Sequence, residues 1–297
     1  MDFSPIWGIM STMETISLQA PAKINLYLRV LGRRADGYHN IESLMSPISL
    51  YDTITLEPSS DEISVTCPGH SELDGSNNLA YRAAVAFTTE NAQSGDRLGV
   101  SIRIEKKIPI AAGLGGASSD AASVLIGLNK LAKKPLAAKK LHEISARLGA
   151  DVPFFLKSGP CIARGVGHDL EKVADLAKFW VLLASAPFGL STRQVYESLN
   201  LPLTSKKTDG TNCAPVSFAG FEQLAASLHN DLQQASARIK PVIEKVCKDL
   251  IKSGASGAIM TGSGPTVFGL FRSEEELLAA QTKIEREHEW QYLVAKG

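Results

Sequence analysis

A glycine-rich segment at residues 109–119 (PIAAGLGGASS) constrains what this chain can fold into more than any other feature. The preceding residues, 98–105 (LGVSIRIE), alternate apolar and polar side chains as a β-strand does. The following residues, 118–131, predict a helix rich in Ala, Leu and Ile, with Ser118 and Ser119 as expected caps. Glycines let backbone N–H groups approach phosphate oxygens, and a following helix points its positive N-terminal end at the same place. The order strand, glycine loop, helix therefore predicts a phosphate-binding loop.

Two common nucleotide-binding loops do not match this segment. A Walker A loop has the pattern GxxxxGK[ST], and no lysine follows these glycines. The dinucleotide-binding fingerprint GxGxxG needs an acidic residue about twenty positions later. The corresponding residues, 131–140 (LAKKPLAAKK), are basic and predict a helix. A glycine loop that binds no ligand stays open as the structural alternative.

The charge balance narrows the class of partner. The 297 residues include 31 basic and 31 acidic side chains, so the formal net charge is zero. Proteins that bind nucleic acids or membrane surfaces usually carry a positive field, so neither partner is expected. The sequence implies no protein partner either, which leaves a small-molecule ligand.

The cysteines and the N-terminus indicate a cytoplasmic protein. The cysteines form no CxxC pair or Cys/His cluster, so reduced, buried thiols are expected rather than a zinc site or disulfides. No apolar run approaches the ~20 residues of a membrane span. Residues 1–13 lack the basic start of a signal peptide, and Met10 and Met13 make them a candidate extension outside the fold. The cysteines are Cys67, Cys161, Cys213 and Cys247.

The order of predicted elements indicates an α+β chain of two domains. In the first, strands are predicted at residues 14–31 (with a break near Pro21), 48–57, 62–66, 98–105 and 161–164, and helices at 118–131 and 137–148. After a predicted loop at 165–175, strands are predicted at 180–184, 258–261, 267–271 and 290–294, and helices at 192–199, 218–228, 241–253 and 274–288. This β-α-β-β-α-β order is the ferredoxin-like pattern. We expect domains at residues 14–170 and 171–297, with a surface loop at 202–216.

Three motifs together resemble one known family. Pro109–Ser119, followed by Asp120-Ala121-Ala122, resembles the second motif of the GHMP kinases, the family of galactokinase, homoserine kinase and mevalonate kinase. Pro21–Leu26 (PAKINL) resembles the first motif, and Thr261–Thr266 (TGSGPT) resembles the third. The motifs occur in the family's order, and the resemblance covers about residues 18–295. It implies a kinase that uses ATP and Mg²⁺, with an N-terminal ribosomal-protein-S5-like domain and a C-terminal ferredoxin-like domain.

Two further segments resemble one branch of this family. Arg34–His39 (RADGYH) and Leu148–Phe154 (LGADVPF) are similar to enzymes that phosphorylate the 2-hydroxyl of a small cytidine diphosphate substrate in the non-mevalonate route to isoprenoid precursors. Two alternatives stay open. One is another GHMP kinase, of the homoserine or mevalonate type. The other is a ligand sensor of the same fold that binds nucleotide without turnover.

The resemblance assigns the nucleotide site to the glycine-rich segment. The ATP-binding residues it implies are Pro109, Ile110, Ala111, Ala112, Gly113, Leu114, Gly115, Gly116, Ala117, Ser118 and Ser119. Ser119 is also a candidate contact for Mg²⁺, whose acidic ligands the sequence does not identify. In the third motif, Ser263 and Thr266 are candidates for holding substrate phosphates.

The resemblance assigns catalysis to Lys23 and Asp151. Asp151 is the expected base for the substrate hydroxyl, and Lys23 its expected partner, which keeps the carboxylate ionised and stabilises charge on the acceptor oxygen. The residue pattern alone also allows plainer roles. Asp151 follows a helix-ending glycine and could cap a short helix, while Lys23 could point from a strand into solvent.

Three more residues are expected to bind the substrate. Asn25 lies two positions after Lys23, so the two share one face of a strand. By resemblance, Tyr38 stacks on the cytosine ring and His39 bonds the edge of that ring, which selects cytosine over uracil. The plainer alternative for Tyr38 and His39 is a surface turn with a half-buried aromatic residue.

Overall fold

A computed structural model describes residues 14–59, 62–92, 99–157, 159–199, 218–284 and 290–297. Within these ranges the strands are β1 (Ile16–Arg33), β2 (His39–Ser59), β3 (Ile63–Thr66), β4 (Gly99–Glu105), β5 (Cys161–Gly165), β6 (Asp169–Lys172), β7 (Trp180–Ser185), β8 (His229–Asn230), β9 (Gly257–Met260), β10 (Val267–Phe271) and β11 (Gln291–Lys296). The helices are α1 (Leu79–Ala92), α2 (Gly116–Leu131), α3 (Ala138–Leu148), α4 (Val152–Leu156), α5 (Thr192–Glu197), α6 (Phe221–Ala226), α7 (Asp231–Ile239), α8 (Val242–Lys252) and α9 (Glu274–Ile284). The predicted loop 202–216, the candidate extension 1–13 and Cys213 lie outside the described residues.

The first sheet is built around a long antiparallel pair of strands. β1 and β2 pair from Ile16 opposite Leu56 to Arg33 opposite His39. The strand order is β3-β4-β2-β1-β8, with β5 paired to the other end of β2 and β6 paired to β5. Helices α1 and α2 pack together, and α2 lies against β1 and β2. Apolar side chains of these helices and strands form one core.

The pairing register of β1 shifts within the strand, and residues on the two sides of the shift at Pro21 belong to different cores. The β1–β2 register shifts between Pro21 and Ala22, where proline cannot donate a ladder hydrogen bond. Ala20, before the shift, packs into the core beneath α1 and α2. Ile24 and Leu26, after the shift, pack into a second core that faces the other sheet. Lys23 and Asn25 therefore lie on a segment that is buried on both faces.

The second sheet has the strand order β11-β7-β10-β9, and all its pairs are antiparallel. α8 packs on β9 and β10, and α9 packs on β7 and β10, so both helices cover the same sheet. Apolar residues on the other face, such as Phe268 and Leu270, join Ile24 and Leu26 in the core between the two sheets. The predicted α+β class and the ferredoxin-like order of the second part are confirmed. The division at residue 170 stays a prediction.

Some local predictions were wrong. The loop predicted at 165–175 contains β6, and β1 runs through Pro21 as one strand. Helices α1 and α7 were not predicted, and α4 is the short helix that the plainer interpretation of Asp151 allowed. The helix expected at 137–148 is confirmed as α3, which ends at Gly149. Within the described ranges, none of the helices has both the length and the apolar character that crossing a bilayer requires.

Candidate active site

The glycine-rich segment forms the connection between β4 and α2, as predicted. Gly113 and Gly115 have φ angles of 78° and 73°, a region that glycine enters without steric cost. Gly115 is the N-cap of α2, and no side chain caps the helix there. The expectation that Ser118 and Ser119 cap the helix was wrong, because the helix begins at Gly116 and both serines lie inside it. The uncapped N–H groups at this end are available to an anion.

The third motif packs directly against the glycine-rich loop. Thr261–Thr266 connects β9 to β10, so it reaches the site from the second sheet. A Cβ atom at Gly113 would lie only 2.9 Å from the carbonyl oxygen of Thr261 and 3.0 Å from that of Gly264. Such contacts are too short for any residue other than glycine. The two loops are therefore packed backbone to backbone.

The first motif joins the same assembly through hydrogen bonds. The backbone N–H of Lys23 donates to the carbonyl of Leu114 at 2.9 Å. The ammonium of Lys23 donates to Asn25 Oδ1 at 2.7 Å, and the backbone N–H of Asn25 donates to Thr261 Oγ1 at 2.9 Å. Asn25 Nδ2 donates to Ser43 Oγ at 2.8 Å. Asn25 thus fixes the direction of the Lys23 side chain and links it to the third motif.

The structure brings Lys23 and Asp151 together. Lys23 Nζ lies 3.6 Å from Asp151 Oδ2, and the exposed fractions of the two side chains are 5% and 38%. The plainer interpretation of Lys23 as a solvent-facing residue was therefore wrong. Asp151 stands at the N-cap position of α4 but makes no side-chain capping bond. Its carboxylate is free to contact a ligand beside a buried cation.

Tyr38 and His39 occupy different environments. The Tyr38 side chain is 66% exposed, whereas His39 begins β2 and packs its ring on Tyr196 of α5, with the ring centroids 5.0 Å apart. Burial, and to a lesser extent the charge of Arg33, lowers the pKa of His39 and favours the neutral ring. Burial and the nearby charge of Asp151 raise the pKa of the Tyr196 hydroxyl above its usual range. Tyr196 therefore packs against His39 and lies near enough to the candidate base for that charge to act on its hydroxyl.

Sequence reasoning missed Tyr196, and it missed a second group of residues behind the glycine-rich loop. The Lys106 ammonium contacts Asp52 and lies 2.7 Å from Asp120 Oδ2. Burial raises the pKa of Asp120 to about 7 although Lys106 opposes the shift. The ammonium of Lys106 is held by these carboxylates. The alternation of apolar and polar residues along β2 does not indicate that Asp52 faces a buried lysine.

The candidate ligands for Mg²⁺ are few. Within the described ranges, His, Cys, Asp and Glu side chains form no group of three or more that could hold a metal ion. The Ser119 hydroxyl is buried and has no hydrogen-bond partner. Mg²⁺ at phosphate sites is usually bound by only one or two protein groups together with substrate oxygens. A single unpaired hydroxyl at the start of α2 fits that requirement.

The described cysteines are free thiols, as expected. Cys67, Cys161 and Cys247 are all buried and unpaired in disulfides. Burial raises the pKa of Cys67 to about 11 and that of Cys247 to about 12, so both stay protonated near neutral pH. Neither thiol has the lowered pKa of a reactive nucleophile.

Comparison with known proteins gives the same family from independent parts of the chain. Residues 78–159 match the family described as GHMP kinases N terminal domain. Residues 217–289 match the family described as GHMP kinases C terminal. The first match includes the glycine-rich loop and Asp151, and the second includes the Thr261–Thr266 loop.

Individual relatives extend the match to nearly the whole chain. A 4-diphosphocytidyl-2-C-methyl-D-erythritol kinase of Syntrophus aciditrophicus is 42% identical over 276 residues, which cover 93% of this chain and 96% of the relative. A solved structure of a 4-(cytidine 5'-diphospho)-2C-methyl-D-erythritol kinase has 33% identity and a TM-score of 0.77, covering 95% of this chain and all of the other. A homoserine kinase from Cytophaga hutchinsonii has 18% identity and a TM-score of 0.72 over 99% of this chain and 97% of its own, and shares the fold alone. The chain therefore belongs to the GHMP kinase family, and its relatives at about 40% identity are 4-diphosphocytidyl-2-C-methyl-D-erythritol kinases.

Proposed function

We propose that this protein transfers the γ-phosphate of ATP to the 2-hydroxyl of 4-diphosphocytidyl-2-C-methyl-D-erythritol, in the non-mevalonate route to isoprenoid precursors. One observation carries the proposal. The Lys23–Asp151 pair, 3.6 Å apart, lies where the backbone of Lys23 bonds to Leu114 of the glycine-rich loop. A carboxylate, a cation and a phosphate-binding loop are thus joined at one place.

The proposed reaction does not require a strong base. Phosphoryl transfer passes through a loose transition state, so positioning and charge neutralisation matter more than base strength. Asp151 accepts the proton of the acceptor hydroxyl while the acceptor oxygen bonds to the γ-phosphorus. The bond from that phosphorus to the bridging oxygen breaks, and ADP leaves. Lys23 holds the Asp151 carboxylate beside the acceptor oxygen and stabilises negative charge that develops on that oxygen.

The nucleotide's phosphates are proposed to bind residues 109–119. The uncapped start of α2 and the close-packed glycines present N–H donors to the phosphate oxygens. Ser119 is proposed to hold Mg²⁺, because its buried hydroxyl is unpaired. When bound, that ion would neutralise charge on the transferring phosphate. Residues Pro109 to Ala112 are proposed to line the nucleotide beside the loop.

The cytosine is proposed to bind near the His39–Tyr196 contact. Tyr38 is exposed enough to stack on a base, and Tyr196 offers a second aromatic face close to Asp151. A neutral His39 ring has both a donor and an acceptor nitrogen for the polar edge of the base. Asn25 is fully engaged with protein groups through its oxygen, so its proposed contact with substrate uses the remaining amide hydrogen.

The cellular location is proposed to be the cytoplasm. The three described cysteines are unpaired, as thiols in a reducing compartment are. The ligands that the site is proposed to take, ATP and a phosphorylated metabolite, are compatible with the same compartment. A small molecule is thus the proposed partner.

A parallel acceptor assay tests the proposal. Purified protein is given ATP and Mg²⁺ with diphosphocytidyl-methylerythritol, homoserine or mevalonate, and ADP release is measured. We expect turnover with the first acceptor alone. A preference for homoserine or mevalonate would contradict the substrate assignment. Binding of ATP and cytidine diphosphate without any ADP release would favour the ligand sensor.

A further inference from the structure

Three buried charged side chains lie behind the glycine-rich loop and take no part in the proposed chemistry. The ammonium of Lys106 contacts the carboxylate of Asp52 and lies 2.7 Å from that of Asp120. The exposed fraction of the side chain is 7% for Lys106, 0% for Asp52 and 4% for Asp120. We call these three residues the buried charge cluster.

The cluster holds both ends of the glycine-rich loop. Asp52 Oδ1 accepts hydrogen bonds from the backbone N–H groups of Lys107, at 2.5 Å, and Ile108, at 2.8 Å, immediately before the loop begins. Asp120 belongs to the beginning of α2, immediately after the loop ends. Lys106 connects the two carboxylates. The entry and the exit of the loop are therefore tied together through one ammonium group.

The loop between these ends benefits from such a restraint. Gly113 and Gly115 both have positive φ, and glycine loses more conformational freedom on ordering than any other residue. α2 starts without a side-chain cap, so its first N–H groups are fixed by the position of the helix alone. A fixed distance between the loop ends restricts the loop to conformations in which these N–H groups converge.

A gain in the folding stability of the protein is a poor explanation for the presence of the buried charge cluster. Two carboxylates share one ammonium, so the cluster either carries an excess negative charge in a buried place or takes up a proton, and burial raises the pKa of Asp120 to about 7. Buried ion pairs are often no more stabilising than apolar side chains of the same volume. An excess negative charge there would also lie near a loop proposed to bind an anion. The geometry that the cluster imposes on the loop accounts better for its presence.

From this arrangement we infer that the buried charge cluster is a positioning device for the phosphates of ATP. In this role Lys106 and Asp120 need not contact the nucleotide or the acceptor. They act through the loop ends, and they set the geometry of the N–H donors that bind phosphate. The inference rests on the proposed function, because it requires that the loop bind ATP. It predicts that damage to the cluster weakens ATP binding and leaves the cytidine end of the acceptor site intact.

Variants at Asp120 test this inference. Asp120→Ala removes one anchor and leaves the neutral pair Asp52–Lys106, so it buries no unpaired charge. Asp120→Asn keeps the shape and one oxygen acceptor for Lys106. The matched control is Lys140→Met, since Lys140 also bridges two carboxylates, those of Glu90 and Glu143, but lies in α3. Binding of the ATP analogue AMP-PNP with Mg²⁺, and separately of cytidine diphosphate, is measured by calorimetry.

The expected pattern separates positioning from general loss of structure. Asp120→Ala should weaken AMP-PNP binding by about tenfold or more, while cytidine diphosphate affinity changes by less than about twofold. Asp120→Asn should recover most of that loss, and Lys140→Met should bind both ligands as the wild type does. In turnover assays the KM for ATP should rise in Asp120→Ala more than kcat falls.

Four results would overturn the inference. Asp120→Ala could bind AMP-PNP as tightly as wild type, or it could lose affinity for both ligands equally. If Asp120→Ala does not fold, Asp120→Asn decides: binding of AMP-PNP no better than that of a Gly113→Ala variant would count against positioning. Wild-type protein that does not bind AMP-PNP would refute the proposed function together with the inference. Normal wild-type binding with unaffected variants would refute the inference alone.

Discussion

The ammonium of Lys23 lies 3.6 Å from the carboxylate of Asp151, and the lysine is buried while the aspartate is partly open to solvent. Asn25 holds the buried ammonium from the protein side through a 2.7 Å hydrogen bond. The pair thus has a fixed half and an accessible half. A substrate hydroxyl can approach the carboxylate without displacing the lysine, which suits a base that must take a proton and later release it.

Replacing Asp151 by Asn is expected to separate binding from turnover. The amide keeps the shape of the side chain but cannot accept the hydroxyl proton. We expect kcat to fall by about 10²-fold or more, the range of general-base contributions. AMP-PNP and cytidine diphosphate should still bind within about threefold of wild type. Turnover close to that of the wild type would remove Asp151 from the catalytic role.

A Lys23→Met variant should lose both activity and stability. The methionine buries a similar chain length but leaves Asn25 Oδ1 without its lysine donor and Asp151 without its cation. We expect kcat to fall by about 10²-fold and the free energy of unfolding to fall by about 1–3 kcal/mol. Steady-state kinetics and urea unfolding measure the two effects. An unchanged kcat in a folded variant would show that the cation is not needed.

Gly113→Ala should disturb the contact between two loops. The added methyl group would meet the Thr261 carbonyl oxygen at 2.9 Å, and positive φ adds strain. The matched control is Gly75→Ala, where φ is 80° but nothing lies within 4 Å of the new atom. Both should lose about 1–2 kcal/mol of stability through backbone strain. Only Gly113→Ala should also lose most of its kinase activity, and equal activity in the two variants would contradict this.

Binding of the acceptor should depend on the Tyr196 ring, whereas binding of ATP should not. Its contact with His39, at 5.0 Å between centroids, places an aromatic face at the proposed cytosine site. Tyr196→Ala is expected to raise the KM for the acceptor by about tenfold, since base stacking on an aromatic ring contributes about 1–3 kcal/mol. Tyr196→Phe, which keeps the ring, serves as the control. A Tyr196→Ala variant with equal increases in both KM values would contradict a specific role.

The buried carboxyl of Asp120 should make stability depend on pH. Burial raises its pKa from 3.8 to about 7 in the native state. Between these values the native protein binds a proton that the unfolded chain does not bind, so the free energy of unfolding falls as pH rises. Asp120→Asn cannot ionise and should lose this part of the pH dependence. Urea unfolding of both proteins at pH 5, 6, 7 and 8 measures the difference. Parallel curves would show that Asp120 stays ionised throughout.

The sequence predicted the parts of the site that depend on residues close together along the chain. The glycine-rich loop, helix α2 and the exact bounds of β10 follow from local pattern and turn chemistry. Lys23 and Asp151 were assigned by resemblance, and the structure brings them together. Their catalytic roles stay predictions.

The missed features depend on contacts between distant parts of the chain. The Tyr196–His39 contact joins α5 to the start of β2, and no local pattern relates the two residues. Asp52 occupies a strand position where a charged residue usually faces solvent, but there it meets Lys106. Helix α1 was missed because its buried side chains are mostly alanines, which give weak apolar periodicity.

The contribution of strand β1 to two cores also has a consequence for how activity appears during folding. Ala20 belongs to one core and Ile24 to another, and Lys23 lies between them. A refolding intermediate with only one core formed would hold β1 at one end and leave the lysine without Asn25 and Thr261 in register. Recovery of kinase activity after dilution from denaturant would then report the docking of the two sheets, and it would lag behind the recovery of helical circular dichroism.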